Sequence, residues 1–155
     1  MTVSTLELLR DYARSIDALR DRGVVRTRNV VGCYAEHLFS IALGWTLENT
    51  ATRGFDARGP DGRRYQIKAR RITRLNKSTQ LGDLPPDERL EFDALAAIVF
   101  AEDFSVLRAA LIPTPDLFAL RTKHAKRPRF HLRESVMIMH GVEDVTDRLR
   151  AAQRA

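Results

Sequence analysis

Asp56, Gln66, Lys68 and Glu36 are the residues of this chain whose types and spacing suit metal-assisted chemistry on a phosphodiester. Three of them fall in the stretch Gly54-Phe-Asp-Ala-Arg-Gly-Pro-Asp-Gly-Arg-Arg-Tyr-Gln-Ile-Lys-Ala-Arg-Arg71, which reads as two short strands joined by a Gly-Pro-Asp-Gly turn. In the second strand Arg64, Gln66, Lys68 and Arg70 alternate with Tyr65, Ile67 and Ala69, so a period of two sets the polar residues on one face. Antiparallel neighbours lie about 5 Å apart at Cα, which places Asp56 beside Gln66 and Lys68. An acid, an amide oxygen and an ammonium then converge.

Glu36 belongs to a segment of little charge, Val30 to Leu43, in which Val30, Val31, Tyr34, Ala35, Leu38 and Ala42 form a broad apolar stripe. Gly32, Cys33 and Ser40 keep the opposite strip small, so a helix buried on most sides is expected. A carboxylate on such a helix needs a cation or donors, because an unpaired buried charge is strongly unfavourable. A metal or Lys68 is the expected partner.

Asp56 after Gly54-Phe55, followed by Gln66-Ile67-Lys68 on the next strand and preceded by a helix carrying Glu36, resembles the PD-(D/E)xK, or restriction-endonuclease-like, nuclease superfamily. The likeness covers roughly residues 30–112, the part of the chain that an α/β core of this kind occupies. The usual Pro before the Asp is Phe55, and the acid of the triplet is Gln66, a known variant that removes one negative charge. The resemblance implies a mixed sheet of four or five strands flanked by helices, with Mg²⁺ or Mn²⁺ as cofactor. It implies Asp56, the Gln66 side-chain oxygen and the Ile67 carbonyl as metal ligands, with Glu36 as an additional ligand or acting through water. Lys68 orients the attacking water and offsets transition-state charge on this reading. The activity implied is hydrolysis of a DNA phosphodiester, as an endonuclease, with RNA left open as a substrate. Cutting both strands points to a homodimer, by symmetry. The alternative is an inactive nuclease-fold module that binds nucleic acid within a defence or repair complex, which Gln66 favours. A protein-interaction module with an incidental basic surface is a third reading.

Each residue also has a plainer explanation. Asp56 after a glycine suits a turn, Gln66 a solvated strand face, and Lys68 and Arg70 the protection of a sheet edge. Glu36 is the hardest to explain away.

Composition sets the bounds. The chain has 155 residues, with 26 Lys and Arg against 20 Asp and Glu and a formal net charge of +6. One domain over 1–155 is expected, divided into an N-terminal helix (1–23), a nuclease-like core (30–112) and C-terminal helices with an edge strand (113–155). The basic surplus favours polyanionic partners. Arg63, Arg64, Arg70, Arg71 and Arg74 cluster near the candidate site, and Lys123, Lys126, Arg127 and Arg129 form a second group. Arg64, Arg70, Arg71, Arg74 and Gln80 are the expected contacts to a nucleic-acid backbone. The lone cysteine, Cys33, excludes an internal disulfide and reads as a small core residue. No apolar run reaches the ~20 residues of a membrane span and no leader pattern opens the chain, so a cytoplasmic protein is expected.

Other elements follow from local signals. Ser4-Thr-Leu-Glu7 has capping-box spacing, with Leu6, Leu9, Ala13, Ile16 and Leu19 behind it at helical intervals, so a helix to about Arg22 is expected before Gly23. Val24 to Asn29 reads as a short basic link, and residues 71–86 as a polar loop with at most one helical turn. Phe92–Phe100 and Val106–Ile112 read as central strands in a hairpin, with a helical reading of 94–97 left open by the alanines. Thr114 is the expected N-cap of a short helix with Pro115 first in it. Phe130 to Met139 suggests an edge strand, and Val142 to about Gln153 a closing helix.

Overall fold

The computed structural model describes residues 2–51, 54–85, 90–120 and 128–155. Helix α1 (Thr5–Asp21) begins on the full capping box: the Ser4 hydroxyl accepts the Glu7 N–H, and the Glu7 carboxylate accepts the Ser4 N–H at 2.7 Å. Its stripe is buried only at Ile16; Leu8, Leu9 and Tyr12 are 58%, 58% and 64% exposed. Helix α2 (Val30–Leu43) starts where the Asn29 side chain accepts the Gly32 N–H and stops at Gly44, which takes the left-handed φ of 70°. That φ suits glycine because it has no Cβ to clash.

The principal sheet has six strands in the order β1 (Thr46–Leu47), β2 (Ala57–Arg58), β3 (Arg64–Arg71), β5 (Ala94–Phe100), β6 (Val106–Pro113), β8 (Glu143–Asp144). The expectation of four or five strands missed the two-residue edges β1 and β8, which are too short to show a period. Pairing is antiparallel throughout except between β3 and β5, which run parallel and make the sheet mixed. Strands β4 (Gln80–Leu81) and β7 (Phe130–His131) form a separate antiparallel pair. Phe130 therefore begins no edge of the main sheet, and β7 gives way to the short α4 (Glu134–Met137).

The rest of the chain completes two layers. Helix α3 (Thr114–Leu120) contains Thr114 within its first turn, and the Thr114 hydroxyl donates to the Phe92 carbonyl instead of capping the helix. Helix α5 (Thr146–Arg154) closes the fold. All of β5 is buried, as a central strand covered on both faces must be, and its alanines pack as strand, not helix. One face carries Ala35, Leu38, Phe39, Ile67, Ile98 and Leu149, joining α2 and α5 to the sheet. The other carries Leu95, Ala97, Val99, Ile112, Leu117 and Phe130. Strand β3 shows the expected alternation, with Tyr65 and Ile67 buried toward α2. Among the described residues no helix is long and apolar enough to cross a membrane.

Trp45, just past α2, stacks on Phe39 at 5.4 Å and on Tyr65 at 3.8 Å between ring centroids, fastening α2 to β3. Replacing Trp45 with Ala is expected to lower the unfolding free energy by about 3–5 kcal/mol, as for other large-to-small changes at buried aromatics. Urea unfolding followed by far-UV circular dichroism measures this. A loss below ~1 kcal/mol contradicts the role of this stack.

Candidate active site

The hairpin joining β2 to β3 turns through Gly59–Gly62, where the Gly62 N–H donates to the Gly59 carbonyl at 3.0 Å. Its ladder ends at Asp56. The Asp56 N–H still donates to the Tyr65 carbonyl at 2.8 Å, but the next donor of β3, the Ile67 N–H, is taken at 2.8 Å by the Asp56 carboxylate. A side chain thus replaces a strand partner, and β2 parts from β3 at a fork. The N–H and C=O of one strand residue point to the same side, so the Ile67 carbonyl faces the same opening.

Glu36 reaches this fork from α2. Asp56 is close enough for its charge to act on Glu36, and with Arg26, Thr27, Glu48, Asn49 and Thr50 the two line a cavity of about 80 Å³. Burial pushes the Asp56 carboxyl above its ordinary range, while the Ile67 N–H and the charges of Lys68 and Arg26 pull it back. Glu36 is raised in the same way, first by burial and further by Asp56, with Arg26 opposing. The cation that satisfies Glu36 is Arg26, whose Nη2 donates to Glu36 Oε2 at 2.8 Å. Of the two partners expected for Glu36, Lys68 is thus corrected to Arg26.

Lys68 and Gln66 lie on the other side of the sheet. Their register partners on β5 are Ala97 and Leu95, which belong to the face away from α2. Lys68 acts on Asp56 through its charge and forms no ion pair among the described residues. Gln66 is half-buried, and its side chain makes no hydrogen bond among the described residues. Asp56 and Glu36 are therefore brought together, Lys68 is brought near Asp56, and Gln66 is placed on the Lys68 face with no side-chain hydrogen bond to either acid among the described residues.

The expected backbone contacts are partly engaged. Arg64 pairs with Asp93 at 3.3 Å, Arg70 Nε donates to the Gln80 carbonyl at 2.9 Å, and Arg71 Nε donates to the Glu102 carbonyl at 2.7 Å while lying over Phe104. Arg74 is exposed, and Gln80 is half-buried on β4. Of the second basic group, Lys123, Lys126 and Arg127 lie outside the described residues, and Arg129 is exposed.

Asp56, Gln66, Ile67 and Glu36 offer only oxygen donors, which suit a hard cation; Mg²⁺ takes one or two carboxylates from a protein and keeps several waters. The set fits in kind, though among the described residues no three Asp, Glu, His or Cys are grouped to hold a metal ion. Two residues at the fork escaped the sequence reading, Arg26 and Glu48. The sequence showed that Glu36 on its apolar helix needs a positive partner and that a basic link lies upstream, but not that Arg26 of that link reaches it. No protein family matches this sequence, and no curated protein matches it.

A carboxylate whose pKa is raised by folding binds its proton more tightly in the folded state, so stability falls as pH climbs from the unfolded value through the folded one. Asp56→Asn keeps an acceptor for Ile67 and carries no charge. It is expected to melt above the parent near neutral pH. The gap closes as pH falls toward the ordinary Asp value. Thermal melts between pH 4 and 8 measure it, and a variant less stable than the parent at neutral pH refutes the assignment.

Proposed function

We propose that this chain is a metal-dependent nuclease of the PD-(D/E)xK type, in the variant with Gln66 at the second acidic position, acting on DNA phosphodiesters as an endonuclease. The observation that carries the reading is the fork: Asp56 fixed on the Ile67 N–H, Glu36 sharing its cavity, and Lys68 within its field. Asp56, Glu36, the Gln66 amide oxygen and the Ile67 carbonyl are the proposed holders of Mg²⁺ or Mn²⁺. When bound, the ion supplies Lewis-acid stabilisation of the scissile phosphate and the leaving oxygen.

The protein's own groups do the rest. Lys68 brings a positive charge near Asp56, which suits it to hold the attacking water and offset charge on the phosphate. The Ile67 N–H keeps one Asp56 oxygen engaged, so the carboxylate presents its other oxygen in a fixed direction. Arg64, Arg70, Arg71 and Arg74 are the proposed contacts to the nucleic-acid backbone, with Gln80 beside them. The exposed stripe of α1 is the proposed contact between two copies. Its segment carries Glu7, Asp11, Asp17 and Asp21 against Arg10, Arg14, Arg20 and Arg22, so two such helices meet without net repulsion.

A second reading, a nuclease-fold module that binds without cutting, is favoured by the Arg26–Glu36 pair and by the neutral Gln66. Plasmid nicking separates the two. The parent is expected to nick with Mg²⁺ or Mn²⁺, Asp56→Ala and Lys68→Ala to lose at least about 100-fold in rate, the range of a lost electrostatic group, and both to keep binding DNA. Absence of metal-dependent cleavage on DNA and RNA alike leaves the binding module. Binding is expected to weaken with salt at a slope of about −0.9 per phosphate neutralised, and a flat slope refutes both readings.

A further inference from the structure

Arg26 lies on the link between α1 and α2, and its position is built from several sides. The Cys33 sulfur, buried on α2, accepts the Arg26 N–H and the Thr27 N–H, each at 3.3 Å, and sits 3.2 Å from the Thr27 hydroxyl. The link backbone is thereby tied to the helix that carries Glu36. From this anchor the guanidinium spans the cavity at the fork: Nη2 donates to the Glu36 carboxylate at 2.8 Å, and Nη1 donates to the Glu48 carbonyl at 3.1 Å. Its side chain is 29% exposed and that of Glu36 22% exposed. The charge of Arg26 also acts on Asp56.

We propose that Arg26 is a built-in counter-cation that competes with a divalent metal for Glu36 and Asp56, so that metal entry requires the Arg26–Glu36 pair to open. This deepens the nuclease reading and rests on it. A guanidinium is always charged, cannot ligate a metal, and repels a divalent ion at close range. Arg26 is paired with Glu36 and acts on Asp56 through its charge, and a metal held in the same small cavity would stand against that guanidinium. The pair holds Glu36 in place, and sets a threshold of metal that must be reached before Glu36 is released. Removing the guanidinium charge removes the competitor, and even at the dielectric of water a unit charge about 5 Å from a divalent ion weakens its binding roughly tenfold.

The test is titration of Mn²⁺ into the full chain and into Arg26→Gln and Arg26→Lys, with free Mn²⁺ read by its electron paramagnetic resonance signal. Arg26→Gln is expected to bind Mn²⁺ about tenfold more tightly than the parent, and Arg26→Lys, which keeps the charge, to bind it like the parent. Thermal melts establish that each variant folds. If the parent binds Mn²⁺ and Arg26→Gln binds no more tightly, the competition is refuted and the nuclease reading stands. Tightening in Arg26→Lys equal to that in Arg26→Gln also refutes it, because the charge is then not the cause. Binding by Arg26→Gln alone supports the competition and marks the parent as held shut. No binding by any of the three refutes the metal site and this role together.

Discussion

A carboxylate standing where a strand should continue organises this end of the molecule. The Ile67 N–H is a donor on the edge of a largely buried strand, and leaving it unpaired would forfeit a hydrogen bond that the sheet otherwise supplies. Asp56 satisfies it at 2.8 Å with a side chain, which frees the backbone before β2 to turn away from β3. The fork follows from that substitution. It opens the edge of β3 at Ile67 and brings Asp56 within reach of groups from both faces of the sheet. Its cost is a charged group held partly away from water, and this is why the Asp56 carboxyl is raised despite three influences pulling it down.

Glu36 poses the same problem from a different element. A lone carboxylate on an apolar helix, next to another carboxylate, is unstable without positive charge nearby. The chain supplies that charge from the link preceding the helix, and the Cys33 sulfur fixes the link by accepting two of its backbone N–H groups. Cys33 reads from the sequence as a small core residue. It is buried as expected, and it also holds the loop that brings Arg26 to the acids.

The parts legible in the sequence are those governed by local rules. The helix over about Val30–Leu43 was legible because its apolar stripe has helical spacing, and the structure bounds it with Asn29 and Gly44 as caps. The Ser4–Glu7 box, the Gly59–Gly62 turn and the all-apolar β5 are of the same kind. What was not legible depends on contacts distant in sequence. The pairings of β1 with β2, of β8 with β6 and of β4 with β7 each involve a two-residue strand that carries no period of its own. Thr114 has the residue type of a cap, yet its hydroxyl is claimed by the Phe92 carbonyl, a partner that only the folded sheet brings near. Asp56 and Glu36 could be named from type and spacing. That Arg26 joins them could not, since it depends on the path of a six-residue link from Val24 to Asn29.

The covering of the sheet also limits how a polyanion could approach on the nuclease reading. Strand β5 is buried on both faces, by α2 and α5 on one side and by α3 and the β4–β7 pair on the other, so neither broad face of the central sheet is open to a duplex. The fork lies at the β3 edge, where Lys68 arrives from one face and Glu36 from the other. The arginines of β3 are held by backbone carbonyls and Asp93, not left to wander: Arg70 by Gln80, Arg71 by Glu102, Arg64 by Asp93. Each guanidinium has five N–H donors, so one spent on a carbonyl leaves a positioned fork for phosphate oxygens. Holding these side chains beforehand lowers the entropy lost on binding. A phosphate backbone running along the β3 edge would then meet fixed positive charge on its way to Asp56, with the Arg26–Glu36 pair between the acids and free access to a metal.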